Sequence, residues 1–158
     1  ESVSGRFQYI VSEANITAIV DYAHTPDALE NVLKTINDIR TKNEQLITVV
    51  GCGGDRDKGK RQIMGKIASE TADSIILTND NPRSEEPRSI VNDILAGTKV
   101  ENDVQVILDR GDAIKSAVQT LGEEEALLVA GKGHETTQVI GSKTLQFSDI
   151  EVALNALN

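Results

Sequence analysis

The sequence predicts an α/β fold in which a mostly parallel sheet is flanked by helices on both faces. Short β-branched or aliphatic runs alternate with segments whose apolar residues recur at helical spacing. Several of those runs, LITVV (46–50), SIILT (74–78) and ALLVA (126–130), are apolar almost throughout, the pattern of strands covered on both sides. A chain of 158 residues, 39% hydrophobic and 26% charged, can bury one sizeable core but would be cramped as two domains. The expectation is a single Rossmann-like domain over residues 1–158.

The elements follow in order. FQYIV (7–11) and ITAIVDY (16–22) read as strands joined by the turn-forming Ser-Glu-Ala-Asn. From Pro26 the period changes: Ala28, Leu29, Val32, Leu33, Ile36 and Ile39 share one helical face, with Thr25 as N-cap and Pro26 at the first helical position. LITVV precedes a charged glycine loop and a helix carrying Ile63, Met64, Ile67 and Ala68. SIILT leads through NDNPRSEEP into a helix with Ile90, Val91, Ile94 and Leu95. VQVIL (104–108) gives way to a helix over 113–121, and ALLVA leads to GKGHE. A hairpin turning at Gly141-Ser142 and a last helix with Ile150, Ala153, Leu154 and Leu157 close the chain. No internal repeat, low-complexity tract or linker interrupts the pattern.

Bulk properties narrow the function. A formal charge of −9 opposes nucleic acid or an anionic membrane as the main partner. The lone Cys52 excludes a disulfide framework and fits a reducing, cytoplasmic location; at an apolar strand end it is a poor catalytic thiol. No apolar stretch reaches the ~18 residues needed to span a bilayer, and no signal-peptide pattern opens the chain. ESVSGRFQYI lacks an initiator Met and runs straight into a strand, so a longer polypeptide is expected.

In open parallel sheets ligands sit beyond the carboxyl ends of the strands. Four polar loops fall there: DYAHTPD (21–27), GCGGDRDKGKR (51–61), TNDNPR (78–83) and AGKGHE (130–135). DYAHTPD opens onto a helix N-terminus suited to an anion, although Thr25 and Asp27 could equally do no more than cap the helix. GDRDKGKR nearly spells a phosphate-binding P-loop, but Arg61 stands where Ser or Thr should hold the magnesium ion. Nor does Gly51-Cys52-Gly53 make a dinucleotide fingerprint, since Arg56 takes the place of the third Gly. Two readings of this loop stand: a solvated, self-paired surface segment, or a mouth whose Arg56, Lys58, Lys60 and Arg61 attract a carboxylate or phosphate.

In Asp80-Asn81-Pro82-Arg83, Pro82 fixes the backbone, Asn81 offers a donor and an acceptor, and Arg83 offers a planar fork for a carboxylate, unless the segment is only a turn closed by a surface arginine. Gly131-Lys132-Gly133-His134-Glu135 adds flexible backbone, a cation, an imidazole and a carboxylate suited to an ammonium. Arg83 and Glu135 on neighbouring loops would make an amino-acid clamp. The two histidines have no HxxH, HExxH or Cys partner, which argues against zinc, and spacing alone supports no Ser-His-Asp or Cys-His arrangement.

As an ordered set, GRFQ (5–8), DYAHTPD, GCGGDRDKGKR, DNPR and GKGHE resemble the C-terminal domain of the Mur ligases, the ATP-dependent amino-acid-adding enzymes of peptidoglycan synthesis. The likeness runs from end to end and is strongest to the diaminopimelate-adding members. It implies that ATP phosphorylates the D-glutamate γ-carboxylate of UDP-N-acetylmuramoyl-L-alanyl-D-glutamate, and that the amine of meso-diaminopimelate then displaces phosphate. It also implies that Arg83 and Asn81 grip the distal carboxylate of diaminopimelate, with Asp80, Arg56, Gly131 and Glu135 completing that site. Lysine-adding members lack the DNPR arginine, so its presence favours diaminopimelate.

Arg6, Asp21 and His24 resemble residues that reach ATP when the domain closes, while Gln8 departs from the acidic residue of many relatives. The P-loop, the magnesium ligands and the UDP-sugar site would belong to central and N-terminal domains outside this chain. No metal ligand and no catalytic residue is expected here, the domain alone is expected to be inactive, and the whole enzyme is expected to be a monomer. Other readings are the lid of another Mur-type or glutamate-adding ligase, or a free-standing amino-acid-binding module.

Overall fold

The computed structural model describes residues 6–40, 44–99 and 102–158. Six strands form one sheet: β1 (Gln8–Val11), β2 (Thr17–Asp21), β3 (Leu46–Val50), β4 (Ser74–Leu77), β5 (Asp103–Val106) and β6 (Ala126–Ala130). Their order is β1-β2-β6-β3-β4-β5; β1 is antiparallel to β2, and every other pairing is parallel. Because β6 slots between β2 and β3, the carboxyl ends of β2, β6, β3 and β4 stand side by side. The register aligns those ends: Asp21 pairs with Ala130, Val49 with Val129, and Val50 with Leu77. All four polar loops therefore leave one edge of the sheet, as the sequence predicts.

Helices α1 (Pro26–Ile39), α2 (Gly59–Thr71) and α3 (Pro87–Leu95) cover one face, where Leu29, Leu33, Met64, Val91 and Ile94 are buried against β3 and β4. The other face is covered by α4 (Arg110–Thr120) and α5 (Asp149–Leu157), through Ile114, Ala117 and Ala153. The expected cap is present: Thr25 Oγ1 accepts from the Ala28 amide at 3.3 Å, and Pro26 occupies the first turn. Strands β7 (Thr137–Ile140) and β8 (Lys143–Gln146) form the expected hairpin, turning at Gly141 with φ +59°. Gly5 of the GRFQ motif lies outside the described residues.

Some expectations shift. The helix expected over 113–121 begins at Arg110, because Asp109 caps it by accepting from the Asp112 amide at 2.9 Å. Ile39 and Ile63, read as core, are exposed. Ile39 ends α1, where the chain leaves the sheet. Ile63 lies one residue, about 100° of helical turn, from Met64, which points inward. Leu95 and Leu154, also placed on helical apolar faces, are partly exposed near the ends of their helices.

Beneath the loops lies one buried ion pair. Arg110, the first residue of α4, donates from Nε and Nη2 to the two carboxylate oxygens of Asp149, the first residue of α5, both at 2.7 Å. Its remaining donors reach the backbone oxygens of Asn79 and Ala130, each at 3.1 Å, so one guanidinium ties the ends of β4 and β6 to both helices. Neither side chain is exposed. Removing one partner of such a pair strands the other's charge and typically costs about 3–5 kcal/mol. Arg110→Met is therefore expected to lower the unfolding free energy by roughly that amount, and adding Asp149→Leu to recover much of it. Urea unfolding of the two variants checks this; a single-variant cost below about 1 kcal/mol would contradict it.

Candidate functional site

The loops after β3 and β4 dock backbone to backbone. The Gly54 amide donates to the Asn81 carbonyl at 2.8 Å, and a Cβ at Gly54 would overlap the Pro82 carbonyl, so only glycine permits this approach. Arg83 holds a left-handed φ of +53°, which costs a non-glycine residue on the order of 1 kcal/mol. The hairpin sustains it: the Arg83 amide donates to Val139 O at 3.0 Å, and Gly141 N donates to Arg83 O at 2.6 Å. The guanidinium thereby swings toward the glycine loop, where Nη1 donates to Gly54 O at 2.9 Å.

Two carboxylates, Asp80 and Glu135, gather around one lysine. Asp80 and Asn81 are buried, and between them and Glu135 sits the fully buried ammonium of Lys132. Lys132 Nζ is 3.0 Å from Asn81 Oδ1, 3.2 Å from Glu135 Oε1 and 3.9 Å from Asp80 Oδ1. Burial pushes the Asp80 carboxyl up from its ordinary range, while Arg110 and Lys132 pull it back. Gly131 has φ +119°, and a Cβ there would stand 2.7 Å from Asp80 Oδ2, so this position too requires glycine. Cys52, at the floor, has its thiol pushed up to about 12, chiefly by burial, which removes it as a nucleophile at neutral pH.

These loops enclose a cleft of about 390 Å³. All six residues expected to grip the amino acid, Arg56, Asp80, Asn81, Arg83, Gly131 and Glu135, line it. Arg6, Asp21 and His24, expected on the nucleotide side, line an adjoining concavity of about 270 Å³, and His24 belongs to both. Both Asp21 oxygens already hold backbone: Oδ2 accepts from Phe7 N at 2.7 Å and Oδ1 from Ala23 N at 2.8 Å, which fixes Arg6 beside the loop. His24 Nδ1 donates to the Tyr22 carbonyl at 2.9 Å, and Lys60 Nζ donates to the His24 carbonyl at 2.8 Å, bridging the two concavities.

The near-P-loop divides between its two readings. Arg56 and Lys60 face the cleft. Arg61, read as part of a positive mouth, is instead buried: Nη2 donates to Glu85 at 2.6 Å and to Gly53 O at 3.1 Å, and Nη1 to Asp93 at 3.0 Å. Early in α2 it turns inward, where Glu85 and Asp93 neutralise its charge and Gly53 O ties it to the loop's base rather than to the cleft. Lys58 pairs with Glu85 at 3.4 Å, and the Asp55 carboxylate accepts from the Ser84 hydroxyl at 2.7 Å. Lys132, noted in the sequence only as a cation, and Tyr22, whose ring lies 4.6 Å from that of His24 and 5.8 Å from that of His134, are parts of the site that spacing did not single out.

With this geometry established, known proteins offer a comparison. Residues 5–133 match the family described as Mur ligase, glutamate ligase domain. The chain is 52% identical over 156 residues to the UDP-N-acetylmuramoyl-L-alanyl-D-glutamate--2,6-diaminopimelate ligase of Coxiella burnetii, and 46% identical over 158 residues to that of Oceanobacillus iheyensis. In each case 99% of this chain is covered but only 32% of the relative, so the chain spans about a third of the length of those relatives. A solved structure of a ligase bearing the same name superposes with a TM-score of 0.90 at 40% identity, over 99% of this chain and 32% of that one.

The Arg61 network sets an expected acid response. The hydrogen bond from Arg61, above all, holds the Glu85 carboxyl down to about 2 from its ordinary 4.5. A folded value below the unfolded one stabilises fully above about pH 4.5 and is lost as pH falls through 2. Stability followed by circular dichroism should therefore decline between those limits, and Glu85→Gln should be less stable at pH 7 with a shallower acid decline. An unchanged acid slope in the variant would discount this carboxylate as a source.

Proposed function

The chain belongs to the Mur ligase family, and on that premise we propose that it is the amino-acid-binding lid of an ATP-dependent ligase that joins meso-diaminopimelate to UDP-N-acetylmuramoyl-L-alanyl-D-glutamate in peptidoglycan biosynthesis. The observation that carries this reading is that one cleft is lined by two separate charged groups, Arg56 and Arg83 beside Gly53, and Asp80 and Glu135 around Lys132. A zwitterionic amino-acid end presents a carboxylate and an ammonium a few ångströms apart, and these groups match both. In this reading Arg83 and Asn81 take the distal carboxylate, Glu135 takes the ammonium, and Arg56, Asp80 and Gly131 shape the remainder.

The reaction forms an amide in two steps. The γ-carboxylate oxygen of D-glutamate attacks the terminal phosphorus of ATP and expels ADP. The free amine of diaminopimelate then adds to the acyl carbon, loses a proton, and expels phosphate. This chain's part is to deliver that amine and to exclude the water that would otherwise hydrolyse the acyl phosphate. Arg6, Asp21 and His24 would meet the nucleotide from the adjoining concavity on closure. We assign magnesium to the nucleotide and to domains beyond this chain. No residue here is assigned a covalent or proton-transfer role. Residues 1–158 act as one domain, in a monomeric cytoplasmic enzyme whose other domains supply the P-loop and the UDP-sugar site. No helix among the described residues is long and apolar enough to cross a membrane.

In the whole enzyme, Arg83→Ala should raise the KM for meso-diaminopimelate by about 10- to 100-fold, the worth of a hydrogen-bonded charge pair, with the KM for ATP little changed. L-Lysine, which lacks the distal carboxylate, should be a poor substrate in a phosphate-release assay; a wild type that uses lysine as readily would refute the substrate assignment. The 158-residue chain alone, given ATP and both substrates, should release no ADP above background.

A further inference from the structure

Lys132 is fully buried, and the reading above gives it no task. A buried ammonium is tolerated only where carboxylates and hydrogen-bond acceptors replace its water. All the acceptors near this one belong to the cleft: Asn81 Oδ1, Glu135 Oε1 and, more distantly, Asp80 Oδ1. The partners decide how the cleft is polarised. Asn81 Oδ1 receives two donors, Lys132 Nζ at 3.0 Å and the Val139 amide at 2.9 Å. An amide oxygen has two lone pairs, and both are used, so what this side chain offers a ligand is its NH₂. Glu135, held by Lys132 through one oxygen and part exposed, keeps its other oxygen as an acceptor.

We infer that Lys132 is a positioning residue that sets the hydrogen-bond polarity of the cleft: it makes Asn81 a donor toward a carboxylate and holds Glu135 as an acceptor toward an ammonium. The inference rests on the amino-acid site proposed above. Without the lysine, the Asn81 oxygen is held by the Val139 amide alone and keeps one lone pair unused, and Glu135 loses its counter-charge. A cleft so loosened should tell a carboxylate from its amide less well. Lys132 does this without touching the ligand.

The test is steady-state kinetics of the whole ligase, varying each substrate in turn. Wild type is assayed first: no ATP-dependent turnover with meso-diaminopimelate would remove the amino-acid reading and this inference with it. Given that turnover, Lys132→Met should raise the KM for diaminopimelate about tenfold or more, leave the KM for ATP within about twofold, and reduce about tenfold the preference for diaminopimelate over its distal monoamide. In an Asn81→Ala background that KM effect should shrink to the part carried through Glu135. If Lys132→Met does not fold, Lys132→Gln serves, since its amide can still donate to Asn81 Oδ1 while giving Glu135 no counter-charge. It should give a smaller KM rise, again confined to diaminopimelate. A diaminopimelate KM unchanged in the folded variants, or a loss shared equally by all substrates, would overturn the role of Lys132 while leaving the substrate assignment standing.

Discussion

The bidentate pair between Arg110 and Asp149 is the constraint on which the site depends. An arginine at the first residue of a helix faces the positive end of the helix dipole, an unfavourable place for a cation, whereas an aspartate at the start of α5 is favourably placed. The arginine is held there by Asp149 and by the backbone oxygens of Asn79 and Ala130. Those two carbonyls immediately precede Asp80 and Gly131, so the chain enters both cleft loops from fixed points. Buried ion pairs often add little net stability compared with apolar substitutes of similar shape. What this one supplies is registration between two strands that are not neighbours in the sheet.

From that base the site is built outward in tiers of charge. Lys132, above the Arg110 pair, gathers Asp80, Asn81 and Glu135. A second tier, centred on Arg61 and Glu85, clamps the glycine loop against the DNPR loop through Gly53, Asp55 and Ser84. With these cations neutralised internally, Arg56, Lys60 and Arg83 are left to line the cleft. A chain carrying a formal charge of −9 would repel an anionic ligand from its average surface, whereas the cleft sets Arg56, Lys60 and Arg83 against Asp57, Asp80 and Glu135 and so is locally balanced.

Much of the fold was legible because its signals are local. LITVV and ALLVA read as buried strands, and β3 and β6 do stand at the centre of the sheet. Thr25-Pro26 marked the start of α1, and Gly141-Ser142 marked the hairpin turn. The insertion of β6 between β2 and β3 left no local trace, since strand order depends on pairings remote in sequence. The buried cations escaped for the same reason. Arg61 finds Glu85 24 residues away, and Arg110 finds Asp149 39 residues away, so nothing in GDRDKGKR or in the start of α4 distinguishes them from surface arginines. Part of the cleft was legible because the six lining residues expected there lie in motifs on adjacent strand ends, although the sequence did not show that Lys132 would be buried.

The two concavities share a wall, and that wall bears on how such a ligase could couple selection to chemistry. His24 lines both, and Lys60, which lines the larger, donates to the His24 carbonyl. On the proposed reading, the nucleophile is chosen by groups in this chain while the acyl phosphate is made elsewhere, so a wrong amino acid can be rejected before the reactive intermediate meets any amine. Domain closure would then do two things at once: bring the chosen amine to the acyl carbon and shut out water. A cleft whose walls are already fixed by buried pairs suits that task. A site that ordered itself only on binding would use part of the ligand's affinity for folding, whereas this one leaves that affinity available to drive the closure.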